Sequence, residues 1–430
     1  MSRVVRIHAD SEPPLKRRAL LAVFLTICVS LVGFGIVIPL LPFYAKRFNA
    51  SEWQIGLLFA SFSLAQMIAA PILGDWSDRW GRRPVLILSL LGSAVSFVML
   101  ALAGNLFWLF ASRVVDGFTG GNITTARAYI ADISDARERA RNYGLIGAAF
   151  GLGFILGPAL GGGLARFGLE TPAWTAACLS LLAAALGWRW LPETVHTTSA
   201  RGIWGGGVAD TTKPSPRIFF SWWEQLAKWL KLGEKNSVWR EMPTLLRRPL
   251  LGRLLWLDLM LWSAFSVYQT TFPLFTHMRF GLGPVENGYV LAMIGLIGAL
   301  MQVVAIRHVV HALGERSALL LGLGLNILGL MVAAFAPRLP LFLLAVSLAA
   351  IGGSIALPCF TSLLSQAAGA DEQGRIQGVG GSLESLARIV GPIWGNGLLR
   401  YGDALPYASA AMVLMLAYLV ALGIPKARYN

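Results

Sequence analysis

Twelve apolar stretches, each of about 20 residues, constrain this chain more than any other feature of its sequence. A helix needs about that length to cross a bilayer, and it must satisfy all of its own backbone hydrogen bonds there. Only 13% of the 430 residues are charged, about half the share in soluble domains. We therefore predict an all-α polytopic membrane protein with twelve transmembrane helices. The stretches cover residues 19–45, 53–73, 85–103, 107–131, 142–165, 173–191, 251–276, 287–306, 317–336, 340–364, 376–399 and 404–424.

Basic residues are concentrated at the chain start and in the links on one side of the predicted helices. This bias predicts that the side is cytoplasmic and that both termini lie there. The formal net charge of +14 follows from the same bias, so the expected partner is the lipid bilayer rather than nucleic acid. The first stretch, from Ala19, is too long for a signal-peptide core and has no small-residue cleavage site after it. We expect a retained helix in a bacterial inner membrane.

The sequence contains no pattern typical of an enzyme. Cys28, Cys178 and Cys359 lie in separate apolar stretches, which argues against a disulfide or metal framework. No nucleophile–base cluster, metal-ligand spacing or phosphate-binding loop is present. We expect neither catalysis nor a bound metal or cofactor.

A polar segment divides the chain into an N-terminal six-helix unit, 1–191, a linker, 192–250, and a C-terminal six-helix unit, 251–430. Its first part, Thr194–Pro216, is rich in Gly, Ser, Thr and Pro, which predicts flexibility. In Ile218–Leu232 the aromatic and leucine residues recur every three or four positions, which predicts an amphipathic helix lying in the membrane interface. A linker anchor is the simpler interpretation, and a regulatory or partner-binding role is the alternative.

The two six-helix units repeat one motif, Glu-x-x-Arg-x-x-Gly followed by Gly-Pro. The motif begins at Glu138 and again at Glu372, and the Gly-Pro pairs end at Pro158 and Pro392, with the same offset of 234 residues. A second repeated feature is the charged link between the second and third stretches, which recurs in degraded form at Leu313–Arg316. Two repeated units predict a substrate site between them, near the middle of the membrane.

The charged link after the second stretch carries a dense set of glycines, aspartates and arginines. Its glycines allow a tight turn, and Pro84 suits the first turn of a helix. Fixed spacing suggests a latch, whereas a solvated positive-inside turn would need only polarity. The residues of the predicted latch are Gly74, Asp75, Asp78, Arg79, Gly81, Arg82 and Arg83.

This ordered set resembles the signature loop between helices 2 and 3 of the major facilitator superfamily. The stretch from Gly153 to Gly162 resembles the helix 5 motif of its proton-coupled exporters, through Gly153, Gly157, Pro158 and Gly161. Over nearly all of the chain, the resemblance is closest to the tetracycline/proton antiporter branch. Two departures, Ser30 where that branch often has an aspartate and a ninth helix without acids, argue against a metal–tetracycline substrate.

The resemblance implies partners for the latch. Asp75 is expected at the N-terminus of helix 11, where the helix dipole favours an anion. Arg79 is expected to pair with Asp132 at the end of helix 4. These contacts would hold the inner gate shut in an outward-facing state and break in an inward-facing one.

Ionisable residues inside the predicted helices are costly and need a reason. Arg113 and Asp116 share one face of helix 4, and Glu384 and Arg388 share one face of helix 11. Neither pair is repeated in the other unit, which favours function, although a static salt bridge remains the alternative for each. Asp258 in helix 7 is either a second protonation site or a residue that reaches the interface near Arg253.

Five further polar residues in the predicted helices are candidates for a cavity wall. The alternative for each is a hydrogen bond between helices. The candidates are Tyr44, Gln66, Gln269, Gln302 and Asn326.

The sequence thus predicts a monomeric secondary transporter that exports a hydrophobic or amphipathic small molecule against an inward flow of protons, with Asp116 as proton carrier. One alternative is a symporter or uniporter for a metabolite or lipid. Another is a non-transporting membrane sensor or scaffold anchored through 192–250.

Overall fold

The computed structural model describes residues 13–120, 122–134, 136–194, 238–367 and 372–425, and long helices dominate them. The predicted amphipathic helix at Ile218–Leu232 lies outside these residues. The first six helices are α1 (Pro13–Val37), α2 (Glu52–Trp80), α3 (Arg82–Ala101), α4 (Leu106–Thr119 with Asn122–Ile133), α5 (Ala136–Ala165) and α6 (Glu170–Trp190). The last six are α7 (Pro249–Phe280), α8 (Pro284–Leu300, Met301–Ala305 and Ile306–Leu313), α9 (Glu315–Phe335), α10 (Leu339–Ala367), α11 (Gln373–Leu399) and α12 (Leu405–Leu422).

Ten helices within the described residues are long and apolar enough to cross a membrane. The other two of the predicted twelve are α4, which is divided after Thr119, and α11, whose 27 residues include Glu384 and Arg388. Both follow the predicted stretches, so the twelve-helix prediction is confirmed. Two short helices, Leu41–Arg47 and Val238–Leu246, precede α2 and α7.

Two predicted helices are interrupted. The first stretch, predicted as one helix over 19–45, ends as α1 at Val37 and resumes at Leu41, because Pro39 cannot donate a helical hydrogen bond. The fourth stretch breaks at Gly120, and the Gln66 amide of α2 donates to the Gly120 carbonyl at 3.0 Å. A carbonyl released by a helix break inside a membrane needs such a partner.

The first half (α1–α6) and the second half (α7–α12) each contain an apolar core. One large cluster of buried side chains runs from Leu254 to Ile424, entirely within the second half. Another runs from Ala19 to Leu191, entirely within the first. A third, mostly in the first half, also takes in Leu274 of α7 and Leu399 of α11.

The repeat between the halves extends to backbone geometry. Gly81 links α2 to α3 and Gly314 links α8 to α9, each as a single residue with positive φ, 107° and 75°. Only glycine adopts this backbone region easily, so each half makes the same sharp turn by the same means.

Helices α2 and α8 also occupy equivalent places, since each packs a glycine against a proline-bearing helix of the other half. A Cβ on Gly56 would lie 2.6 Å from the Pro392 carbonyl oxygen, and one on Gly288 would lie 2.5 Å from the Pro158 carbonyl oxygen. From Gly56 to Gly81 is 25 residues, whereas from Gly288 to Gly314 is 26. The π-helix Met301–Ala305 lies inside this interval of α8. A π-helix holds one extra residue without rotating the helix beyond it, which accounts for the difference.

Helix α5 lies between α1 of its own half and α8 of the other. A Cβ on Gly157 would lie 2.6 Å from the Cα of Gly35, and one on Gly161 would lie 2.5 Å from the Ile36 carbonyl oxygen. On another side of α5, a Cβ on Gly162 would lie 2.8 Å from the Val285 carbonyl oxygen. Small residues permit such close helix contacts in membranes, and they place α5 at the junction of the halves.

The halves meet near one face of the bundle and separate toward the other. We name the face that carries the Gly81 and Gly314 links the basic face. The contacts of Gly56 with Pro392 and of Gly162 with Val285 lie far from it. Toward the basic face, a Cβ added to any of several glycines would meet no atom within 4 Å. These glycines are Gly74 in α2, Gly144, Gly147 and Gly151 in α5, and Gly381 in α11.

Candidate transport pathway and its buried charges

The gap between the halves is bordered by α11, and the position of each α11 residue follows from its contacts. Gly380, Gly391 and Gly395 pack against α7, whereas Pro392 contacts α2 of the first half. At 100° per residue, Arg388 lies between these two stripes, so its side chain projects where α7 and α2 diverge. The Glu384 and Arg388 side chains are 31% and 42% exposed.

Three charged residues lie near one another at this place. Arg388 donates to the Glu384 carboxylate at 3.1 Å, and its guanidinium stacks over the Trp262 ring at 4.8 Å. Asp258 is only 2% exposed, and a Cβ on Gly380 would lie 3.1 Å from its Oδ2 atom. Asp258 is also close enough to Glu384 and Arg388 to interact with both electrostatically. We refer to Asp258, Glu384 and Arg388 as the charged cluster.

The charged cluster has two carboxylates for one guanidinium. An unbalanced charge is costly in a low-dielectric interior, and binding one proton would make the set neutral. Of the two alternatives for Asp258, the structure places it in this cluster. Arg253 instead donates to the Gly423 carbonyl at the end of α12.

The opposite wall of the gap is aromatic. Phe150 and Phe154 of α5 stack with ring centroids 6.3 Å apart, and they lie beside Leu31 and Phe34 of α1. They lie on α5 between its contacts with α1 and with α8. An offset of 234 residues relates them to Glu384 and Arg388, so the repeat places aromatic rings opposite charges.

The other predicted pair lies inside the first half. Arg113 and Asp116 are each 3% exposed, and Arg113 donates to Asp116 at 3.1 Å. The guanidinium lies over the Phe97 ring of α3 at 5.7 Å, and Ser93 of the same helix is near the Asp116 carboxylate. The pair is therefore shielded from lipid and is not part of the charged cluster.

This interior site leaves several hydrogen-bonding atoms without a protein partner. They include Nε and Nη2 of Arg113 and the hydroxyl oxygen of Ser89 on α3. Buried polar atoms are costly when they have no partner. Their concentration between α3 and α4 marks a polar site within an apolar bundle.

The latch differs from the predicted pairing. Asp132 accepts from Arg82 at 3.0 Å, not from Arg79, and Arg79 donates to Asp75 at 3.0 Å within α2. Arg79 still belongs to the last turn of α2, whereas Arg82 opens α3 beside the second segment of α4. Arg82 also pairs with Asp78. Asp75 is thus held by its own helix, and not by the N-terminus of α11, in this state.

Sequence reasoning missed two latch residues that follow α6. The Glu193 carboxylate accepts from the backbone amides of Arg82 and Arg83 at 2.9 and 3.3 Å, which caps the N-terminus of α3. Thr194 donates to Asp132 at 3.0 Å. A Cβ on Gly81 would overlap the Glu193 carboxylate. The available signal was an acid directly after a predicted helix, but its partner is distant in sequence.

The five cavity candidates are dispersed. Tyr44 is 2% exposed within an apolar cluster, so it is a core residue rather than part of a cavity wall. Gln66 bridges to the α4 break, which is the alternative of a hydrogen bond between helices. Asn326 of α9 faces Gly353 of α10, away from the gap. Gln269 is partly buried in α7, and Gln302 is exposed within the π-helix of α8.

Comparison with known proteins agrees with this architecture. The family model of the Major Facilitator Superfamily matches residues 23–392. The chain is 32% identical to the class C tetracycline resistance protein of Escherichia coli over 382 residues, covering 87% of this chain and 88% of that protein. It is 27% identical to multidrug resistance protein 2 of Bacillus subtilis over 390 residues, covering 90% of each. The crystal structure of the human organic anion transporter MFSD10 (TETRAN) superposes with a TM-score of 0.69 at 25% identity, covering 95% of this chain and 100% of that one. The chain belongs to the major facilitator superfamily and is a membrane transporter of that family.

Proposed function

We propose that this protein is a proton-coupled exporter of an amphipathic small molecule, with its basic face toward the cytoplasm of a bacterial cell. Its similarity to tetracycline and multidrug resistance proteins supports export. The arginines of the basic face support the orientation. The departures noted above, Ser30 and the absence of acids from the apolar stretch 317–336 of α9, argue for a substrate other than a metal–tetracycline complex.

The observation that carries the proposal is the pairing of unlike walls across the gap. Phe150 and Phe154 offer an apolar surface, whereas Glu384 and Arg388 offer a carboxylate and a guanidinium at the repeat-related positions. A molecule with one apolar and one polar end would contact both walls at once. An entirely apolar molecule would leave the charged wall without a partner.

The excess carboxylate in the charged cluster supports coupling to protons. With two carboxylates, Asp258 and Glu384, near one guanidinium, proton uptake neutralises the set and proton release charges it. A substrate with a cationic group would favour the proton-free cluster, and proton binding would then favour substrate release. Asp116 with Arg113 is a second candidate for proton binding, in the interior of the first half.

Alternating access would use the close glycine contacts between helices of the two halves. The units 1–191 and 251–430 would rock about the contacts of α2 with α11 and of α5 with α8, while 192–250 joins them. The open glycine positions near the basic face leave room for this motion. Differential binding of proton and substrate to the two states would drive it.

Reconstituted vesicles test the proposal. Fluorescent amphipathic cations, anions and neutral molecules are offered under an imposed pH gradient. Efflux driven by inward proton flow is expected, and Asp258→Asn and Asp116→Asn are each expected to abolish gradient-driven flux while substrate binding survives. Full coupling in either variant would remove that residue from the mechanism, and flux in the direction of the protons would identify a symporter.

An organic anion is a second candidate cargo. Arg388 Nε has no protein partner, and a similar human protein is described as an organic anion transporter. The anionic probe in the same assay distinguishes this cargo. Deletion of residues 195–237 tests the alternative of a non-transporting scaffold. A transporter should keep its flux after this deletion, whereas a scaffold anchored through this segment should lose its function.

A further inference from the structure

A groove lies on the outer surface of the first half, away from the gap between the halves. It lies between α3 and α6 at the basic face and encloses about 320 Å³. Its walls are mainly apolar, and Leu88, Leu91 and Trp188 are 47%, 41% and 66% exposed. Because the helices span a bilayer, these side chains meet lipid rather than water.

The Arg83 side chain lies at the end of the groove nearest the basic face. The Arg83 guanidinium lies over the Trp188 ring at 5.5 Å and donates to the Trp188 carbonyl oxygen. These contacts fix its position, while its buried Nε has no protein partner. A second lining residue, Glu193, directs its carboxylate to the backbone amides of Arg82, Arg83 and Thr194. Its charge is thereby committed to the α3 N-terminus.

The dimensions of the groove suit one membrane component. From Arg83 to Leu91 is eight residues, or about 12 Å along α3. One leaflet of the hydrocarbon core is about 15 Å thick. A phosphate at Arg83 would thus lie at the headgroup level, and an acyl chain could follow Leu88 and Leu91 toward the membrane centre.

We propose that the groove between α3 and α6 binds an anionic phospholipid from the leaflet at the basic face. Its phosphate contacts Arg83, and one acyl chain packs along Leu88 and Leu91 beside Trp188. The site is separate from the gap between the halves, so lipid binding does not depend on which molecule is transported.

The second half contains a matched control. Arg316 is the repeat counterpart of Arg83, and it donates to the Leu422 carbonyl oxygen at 2.7 Å just as Arg83 donates to Trp188. Its Nε also lacks a partner. Yet the repeat places Gly324 where Leu91 stands and Leu422 where Trp188 stands. The second half therefore keeps the arginine, but it has smaller side chains at two of the apolar positions that line the groove in the first half.

Native mass spectrometry and thermal unfolding of the delipidated full-length protein test the proposal. Titration with phosphatidylglycerol is expected to give a saturable adduct and a rise in Tm, with a much smaller response to phosphatidylcholine. Arg83→Gln is expected to weaken the phosphatidylglycerol response about fivefold, the effect of one basic residue on anionic lipid binding. Arg316→Gln is expected to change it less than about twofold.

Three results would overturn the proposal. Equal responses of Arg83→Gln and the unaltered protein would exclude a role for the cation. Equal losses in Arg83→Gln and Arg316→Gln would indicate general surface attraction. A full response to inorganic phosphate alone would indicate an ion site without an acyl chain. Leu88→Ala with Leu91→Ala leaves the Arg83 contacts in place and should weaken only lipid binding, so the test remains valid if Arg83→Gln folds poorly.

Discussion

The two halves share a scaffold but differ in the side chains that this scaffold presents. Gly81 and Gly314 make the same turn. Arg83 donates to a backbone carbonyl at the end of α6, and Arg316 donates to the equivalent carbonyl at the end of α12. At the gap, however, Phe150 and Phe154 stand opposite Glu384 and Arg388. The features needed for helix turns and packing are repeated, because both halves must form the same bundle. The side chains that meet a substrate are not, because two unlike walls can orient an amphipathic molecule.

The latch shows a second difference between the halves. In the first half, Arg82 joins Asp132 and Asp78, and Glu193 caps α3. In the second half, Glu315 accepts from Ser362 and Gln366 of α10. Arg248 donates to both oxygens of Glu372 at 2.7 and 2.9 Å, and these hydrogen bonds raise the pKa of its guanidinium. In the part of the second half that the structure describes, these contacts at the basic face use the glutamates Glu315 and Glu372.

Removing a charge from the charged cluster should have the largest effect. Glu384→Gln removes a carboxylate from the charged cluster, and we expect gradient-driven transport to fall to background, because the remaining Asp258 is balanced by Arg388. Phe150→Leu keeps the opposite wall apolar and should lower transport by only about threefold, through weaker binding of the apolar end. Transport assays in vesicles measure both. Equal losses would show that the two walls do not have different roles.

The close crossing of α1 and α5 should be the next most sensitive feature. A Cβ on Gly35 would lie 2.5 Å from the Gly153 carbonyl oxygen, so Gly35→Val should destabilise the protein by about 1–3 kcal/mol. Gly144→Ala is the matched control, since its Cβ meets nothing within 4 Å, and it should be neutral or stabilising by up to about 1 kcal/mol. Thermal unfolding in detergent measures both. A stable Gly35→Val variant would contradict this packing.

Removal of the Glu193 cap should have an intermediate effect. Glu193→Ala leaves the Arg82 and Arg83 amides without their acceptor, and we expect a loss of about 1 kcal/mol. Glu193→Gln retains an acceptor oxygen and should lose less. Hydrogen exchange at the start of α3 is expected to rise in the alanine variant. Unchanged exchange there would show that the cap does not stabilise this end.

Shortening α8 to the length of α2 should have the smallest effect. Val303, in the π-helix, is 83% exposed, and its deletion leaves a continuous α-helix with both ends in their present orientation. We expect a change in stability within about 0.5 kcal/mol, as for surface substitutions. Deletion of Ile297 is the control, because it would also shift Gly298, which packs against Ser354. A large loss on deleting Val303 would mean that the extra residue has a role of its own.

The sequence predicted the twelve helices because each stretch is long, apolar and bounded by charge or turn residues. It did not predict the break at Gly120, although Thr119-Gly120-Gly121-Asn122 is a sequence typical of a turn. The Gln66 side chain supplies a hydrogen bond to the Gly120 carbonyl at this break. The sequence identified the acids and arginines of the site, but not that Asp258 lies near Glu384 and Arg388. The rotation of two helices about their axes decides whether these side chains lie near each other. The pairing of Arg79 with Asp132 was implied by the family resemblance, whereas in this structure Arg82 pairs with Asp132.

The additional residue in α8 has a consequence for engineering. Residues before Met301 correspond to the first half at a spacing of 232, as with Gly56 and Gly288, and residues after Ala305 correspond at 233, as with Gly81 and Gly314. A chimera can join part of α2 to part of α8. If it uses a single spacing across the π-helix, the part of the helix beyond the junction is rotated by about 100°. His308 and His311 would then point in a new direction, and the fused turn at Gly314 would no longer lead into α9.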